Sequence, residues 1–191
     1  MKNLLFCFTA LIFFAFVACE PASDTKENAP DYAAFERNVD ILESFLQAHC
    51  DEDLALMRTM LSDTMRWHGA AWNDNQWLGK NEFLAAIEGY HNGFENIQYH
   101  SGIVMQDTTV NGFWSGSVYP QDMAQNGANN IRQYGHWTAT HSETGTDIGV
   151  KWFALGTLNE EGKIVAWNEY FDVNGIAAQI EAATATEQEE Q

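Results

Sequence analysis

Basic residues are scarce: nine Lys and Arg stand against 27 Asp and Glu, a formal charge of −18. Nucleic-acid binding needs clustered cations to neutralise phosphates, so this balance argues against a nucleic-acid partner. Cysteine is sparse too. Of three, Cys7 sits in an N-terminal apolar run and only Cys19 and Cys50 follow it, too few for a disulfide framework. Beyond Val17 no apolar run approaches the length of a membrane span, about 20 residues, and there is no internal repeat. Metal-ligand spacing is absent as well: His136 and His141 are five apart on an expected strand and so point to opposite faces. No metal and no other cofactor is expected.

What is present begins at the N-terminus. Lys2 followed by the apolar run Leu4–Val17 has the length of a secretory signal core, expected to be removed. The residues Phe16-Val17-Ala18-Cys19 that end it resemble the lipobox of bacterial lipoproteins. That resemblance implies a lipid on Cys19 and a mature chain held to a membrane of the cell envelope by that anchor only. An ordinary signal cut nearby would instead leave a periplasmic or secreted protein. Residues 20–34, with Pro21, Pro30 and several charges, read as a flexible tether. Residues 35–180 are long enough for one domain with a sizeable core, and residues 181–191 read as an acidic, fraying tail. Cys50 reads as a buried or half-buried thiol near a helix end.

Within the domain, Phe35, Val39, Leu42, Phe45 or Leu46, and His49 recur at helical spacing. Asp51 stands where a cap would start a second helix through Leu54, Met57, Met60 and Leu61, and a short strand over Met65–His68 follows. Gly79-Lys80-Asn81 precedes a third helix in which Phe83, Ile87, Tyr90 and Phe94 share a face. Then the pattern turns to strands: Ile97–Gln106, Gly112–Tyr119, Ile131–His141, Ile148–Leu158 and Lys163–Asp172. A short helix from Ile176 closes the domain, with Asp172 turning the chain into it. Helices followed by antiparallel strands define an α+β class, with helices packed on one face of a curved sheet.

That order, with Trp67-His68, Gly79-Lys80-Asn81-Glu82, the Thr140-His141 to Thr144-Gly145 segment and the strand Gly162–Asp172, resembles the SnoaL-like branch of the NTF2-like superfamily. The resemblance implies a conical half-barrel whose bent sheet wraps around a pocket, with the helices covering the opposite side. Relatives of this kind include polyketide cyclases, epoxide hydrolases, ketosteroid isomerases and many proteins without activity, so fold alone does not assign chemistry. It also implies that Glu169 stands where the catalytic branch carries its acidic base, and that His141 matches the Thr-His of the middle strand.

Alternation along the last strand puts Val165, Trp167, Glu169 and Phe171 on one face, so the Glu169 carboxyl lies among apolar groups. Desolvation raises a carboxyl pKa toward the range of a general base. A three-residue loop at Asn159–Lys163 with Gly162 as its bulge residue would set Phe153 opposite Glu169 and Lys151 one diagonal step away. Lys151 would then either belong to the catalytic set or hold Glu169 in a structural ion pair. Trp137 and Trp167 are expected in the pocket with Phe153 and Phe171; Trp114 and Trp152 are further aromatic walls whose facing stays open. His141 either faces the pocket or lies exposed at a turn, and His68 either bonds a ligand or fills a core position. Three functions remain open: acid–base isomerase, cyclase or hydrolase with Glu169 as base; a binder of a small apolar or aromatic molecule; and a homodimeric interaction module of the envelope.

Overall fold

The computed structural model describes residues 32–115 and 127–189. The apolar run, Cys19, the tether to residue 31, residues 116–126 and the last two residues lie outside these. So does the end of the strand expected over Gly112–Tyr119.

Helix α1 (Tyr32–Cys50) carries Leu42, Phe45, Leu46 and His49 at i, i+3, i+4 and i+7, a single stripe. The first three are buried, and removing such a side chain from water contributes about 1.5–3 kcal/mol. Asp53, two residues beyond the expected Asp51, caps helix α2 (Leu54–Met60) by accepting the Leu56 N–H at 2.8 Å. Strand β1 (Leu61–His68) follows directly and is longer than the expected Met65–His68. Helix α3 (Lys80–Gly93) starts at Gly79, whose N–H donates to the Glu82 carboxylate at 3.1 Å.

Beyond α3 come β2 (Phe94–Ser101), the two-residue strands β3 (Ile103–Val104) and β4 (Thr109–Val110), β5 (Phe113–Ser115), β6 (Asn130–His141), β7 (Asp147–Leu158) and β8 (Ile164–Phe171). The expected strand Ile97–Gln106 is therefore split, its second part folding into the small β3–β4 hairpin. The main sheet runs β1-β8-β7-β6-β2, with β5 pairing the other end of β6. It is antiparallel except that β1 lies parallel to β8. The helices α1, α2 and α3 pack together over one face, and the core between them and the sheet includes Leu42, Ile131, Ile164 and Trp167. Helix α4 (Val173–Glu189) is longer than the short helix expected from Ile176, so the acidic tail to residue 189 continues it. Asp172 accepts the Gly175 N–H at 2.8 Å, turning the chain as expected. The Gln179 side chain accepts the Gly149 N–H and donates to the Gly149 carbonyl, closing an open stretch of the β7 edge.

The β7–β8 hairpin decides what Glu169 faces. Its turn is as the sequence suggests: Asn159 donates to the Lys163 carbonyl at 2.9 Å, Gly162 takes φ +73, and Leu158 pairs with Ile164. The next pair, however, is Thr157 with Ala166, leaving Val165 as an extra residue, a β-bulge. One inserted residue exchanges the two faces of the strand relative to its partner. Glu169 thus pairs with Ala154 rather than Phe153. Lys151 and Phe153 fall on the face away from Glu169, which removes the expected Lys151–Glu169 pairing and takes Phe153 out of the pocket wall.

Candidate functional site

A cavity of about 90 Å³ lies between the helices and the sheet. The expected pocket on a face opposite the helices is corrected here: Phe45 and His49 of α1, and Phe83, Ile87 and Tyr90 of α3, form one wall. Trp137 of β6, Trp152 of β7, and Trp167, Glu169 and Phe171 of β8 form the other. Close backbone approach helps build it. At Gly156, opposite Trp167, an added Cβ would lie 3.2 Å from the Trp167 ring and 3.0 Å from the Gln133 side chain.

Glu169 is the carboxylate of this cavity. Trp67 Nε1 donates to its Oε1 at 3.0 Å, Trp152 Nε1 donates to Oε2 at 3.2 Å, and Trp167 Nε1 reaches Oε2 at 3.5 Å. The three indoles come from β1, β7 and β8, so three strands converge on one carboxyl group. Burial pushes the Glu169 pKa up, and the indole N–H groups of Trp67, Trp152 and Trp167 pull it partway back. A carboxylate offers about four lone-pair sites; three receive donors, which leaves one on Oε1. Among the described residues the ion pair is Lys80 with Asp63, and no cation meets Glu169.

Two further polar groups share the cavity. Burial and the nearby Glu169 charge push the Tyr90 hydroxyl up to about 12, so it stays protonated and able to donate. His49, held edge-on against Trp137 at 5.0 Å, shares a 2.8 Å hydrogen bond between its Nδ1 and His91 Nε2. Burial, and then His91, lower its pKa to about 3, which keeps the ring neutral.

The sequence-expected residues separate accordingly. Glu169, Trp137, Trp167 and Phe171 line the cavity; Lys151 and Phe153 do not. His141 lies at the end of β6, where it bonds Thr144 Oγ1 at 2.9 Å and packs on Phe94. His68 bonds Asn168 at 3.3 Å and contacts Trp77, away from the cavity. Of the two tryptophans whose facing was open, Trp152 lines the cavity and Trp114 is exposed. Trp67, Tyr90 and the His49–His91 pair are the groups that residue patterns did not single out as the site. His49 had one signal, its place on the apolar stripe of α1. Its partner 42 residues on had none.

The architecture is an α+β fold similar to that of solved NTF2-like and SnoaL-like structures. Solved structures that share it include IdmH, a putative polyketide cyclase from Streptomyces antibioticus, at 13% identity and TM-score 0.56, covering 76% of this chain and 99% of that one. A LEH-like epoxide hydrolase of M. tuberculosis aligns at 11% identity and TM-score 0.54, covering 82% and 98%. A putative SnoaL-like polyketide cyclase of Shewanella denitrificans aligns at 8% identity and TM-score 0.53, covering 76% and 98%. No protein-family model matches the sequence, and no curated protein matches it.

Proposed function

We propose that this chain is an acid–base enzyme for a small, largely apolar substrate, with Glu169 as the base that removes a proton beside a carbonyl group. The observation that supports it is the Glu169 carboxyl itself: desolvated, without a cationic partner among the described residues, fixed by indole donors, and left with one free lone pair on Oε1. A base so placed needs no reorganisation when the proton moves. The protonated Tyr90 hydroxyl is the donor suited to the oxyanion that forms. Structural relatives described as polyketide cyclases and an epoxide hydrolase make acid–base chemistry a reasonable use of this fold. The reading includes export and a lipid anchor at Cys19, which labelled-palmitate incorporation lost in Cys19→Ser would test.

The cavity, about 90 Å³, suits a fragment of the size of a small ring. The test is therefore deuterium incorporation next to the carbonyl of cyclohexanone and 2-cyclohexenone in D₂O, followed by proton NMR. Native protein should accelerate exchange, and Glu169→Gln should lose about 10²–10⁴-fold, the usual contribution of a general base. Equal exchange by Glu169→Gln overturns the assignment. Binding of either ketone without exchange replaces it with a binding protein.

A further inference from the structure

The opposite face of the sheet carries a second depression, with a volume of about 610 Å³, in the range of sites for drug-sized molecules. Its floor is a row of rings in register across three strands: Tyr134 pairs with Phe153 and Phe153 with Tyr170. Their ring centroids are 4.9 and 5.8 Å apart. Beside this row runs a second one in which His100 pairs with His136 and His136 with Lys151. The two imidazoles stack at 4.5 Å. Val104 of the β3–β4 hairpin forms one rim.

Charge distinguishes this groove from the rest of the molecule. The chain has 27 acidic residues against nine basic ones, yet among the described residues no carboxylate lines the groove, while Lys151 and His136 do. Lys151 makes no ion pair among the described residues. The burial of His136 and the adjacent His100 both disfavour a charge on the His136 ring in the absence of an anion. A lone lysine and an under-charged histidine beside a strip of aromatic rings are complementary to a molecule with one acidic group on a flat apolar frame.

We propose that this outer groove binds a small organic anion of that kind, an aromatic carboxylate or sulfonate. Its acid group lies against Lys151 and His136, and its ring packs on Phe153 and Tyr170. The sheet separates this groove from the Glu169 cavity, so the assignment stands apart from the acid–base reading.

The test is a calorimetric titration of the full chain with 2-naphthoate and with its uncharged counterpart 2-naphthamide. The acid should bind about tenfold more tightly than the amide or better. Lys151→Gln, at an exposed position, should abolish most of that preference and leave the amide unchanged. Phe153→Ala should weaken both, and its thermal melt checks that it folds. Glu169→Gln should leave both affinities unchanged. Equal affinity for acid and amide, binding of neither, or a preference that survives Lys151→Gln overturns the proposal. So does tighter naphthoate binding in Glu169→Gln, which would locate the ligand in the inner cavity. Light scattering that shows a dimer dissociated by Phe153→Ala would assign the groove to self-association instead.

Discussion

Replacing the indoles around Glu169 one at a time with phenylalanine should raise its pKa in an order set by geometry. A hydrogen bond to a charged acceptor contributes about 1.5–3 kcal/mol, and 1.36 kcal/mol corresponds to one pKa unit, so a full bond is equivalent to roughly one to two units. Trp67 is the donor to Oε1 at 3.0 Å, so Trp67→Phe should show the whole effect. Trp152 and Trp167 share Oε2 at 3.2 and 3.5 Å. Trp152→Phe should therefore raise the pKa by about one unit, and Trp167→Phe, at the limit of hydrogen-bond reach, by less than about half a unit. Carbon-13 NMR of the labelled glutamate carboxyl across a pH titration reads this directly. The stability consequence has a definite sign. A carboxyl whose folded pKa is raised supports the fold fully below its unfolded pKa, about 4.3, and that support is lost as pH rises through the folded value. Trp67→Phe should extend this declining range to higher pH in urea melts. A fall in pKa in any of the three variants, or three equal responses, would refute the reasoning that the indoles stabilise the charged form by distance-dependent donation.

Three other outcomes follow. His49 is held neutral, its pKa lowered to about 3, so between about pH 6.5 and that value the unfolded chain binds more protons and stability should fall on acidification, by up to about 1.4 kcal/mol per pH unit. Urea melts of His49→Phe at pH 7, 6, 5 and 4 should show a shallower slope than native protein. Gly156→Ala pushes a methyl against Trp167 and Gln133 and should cost about 1–3 kcal/mol in chemical denaturation, as overpacking does, while weakening the Trp167 bond to Glu169. Gly162→Ala, at φ +73 and with its new Cβ 2.9 Å from Ile41, should cost about 1–2 kcal/mol by the same measurement, with the cavity untouched.

The residue pattern was informative wherever structure is set within a few neighbours. The α1 stripe, the Gly79-to-Glu82 helix start and the Gly162 turn each rest on contacts inside about eight residues, and each appears in the fold. The same holds for the Phe83, Ile87 and Tyr90 face of α3, which reaches the cavity; Phe94, expected on that helix face, is instead the first, extended residue of β2 and lines the cavity from there. The facing of Lys151 and Phe153 could not be read this way, because it depends on whether Val165 is paired or bulged out, and that is settled by packing of β8 between β1 and β7. Burial of Glu169 was legible from its strand neighbours, whereas its indole partners are 102, 17 and 2 residues distant. The His49–His91 pair joins two helices that only the tertiary fold brings together.

The cluster at Glu169 has an optical consequence. Seven tryptophans give the chain its near-ultraviolet absorption and emission, and three of them donate to the same carboxyl group. An indole whose N–H is bound to a negative charge differs in excitation energy from one facing a neutral acid. The intrinsic emission of the native protein is therefore a built-in reporter of the proton on Glu169, readable without a dye, a label or a known substrate.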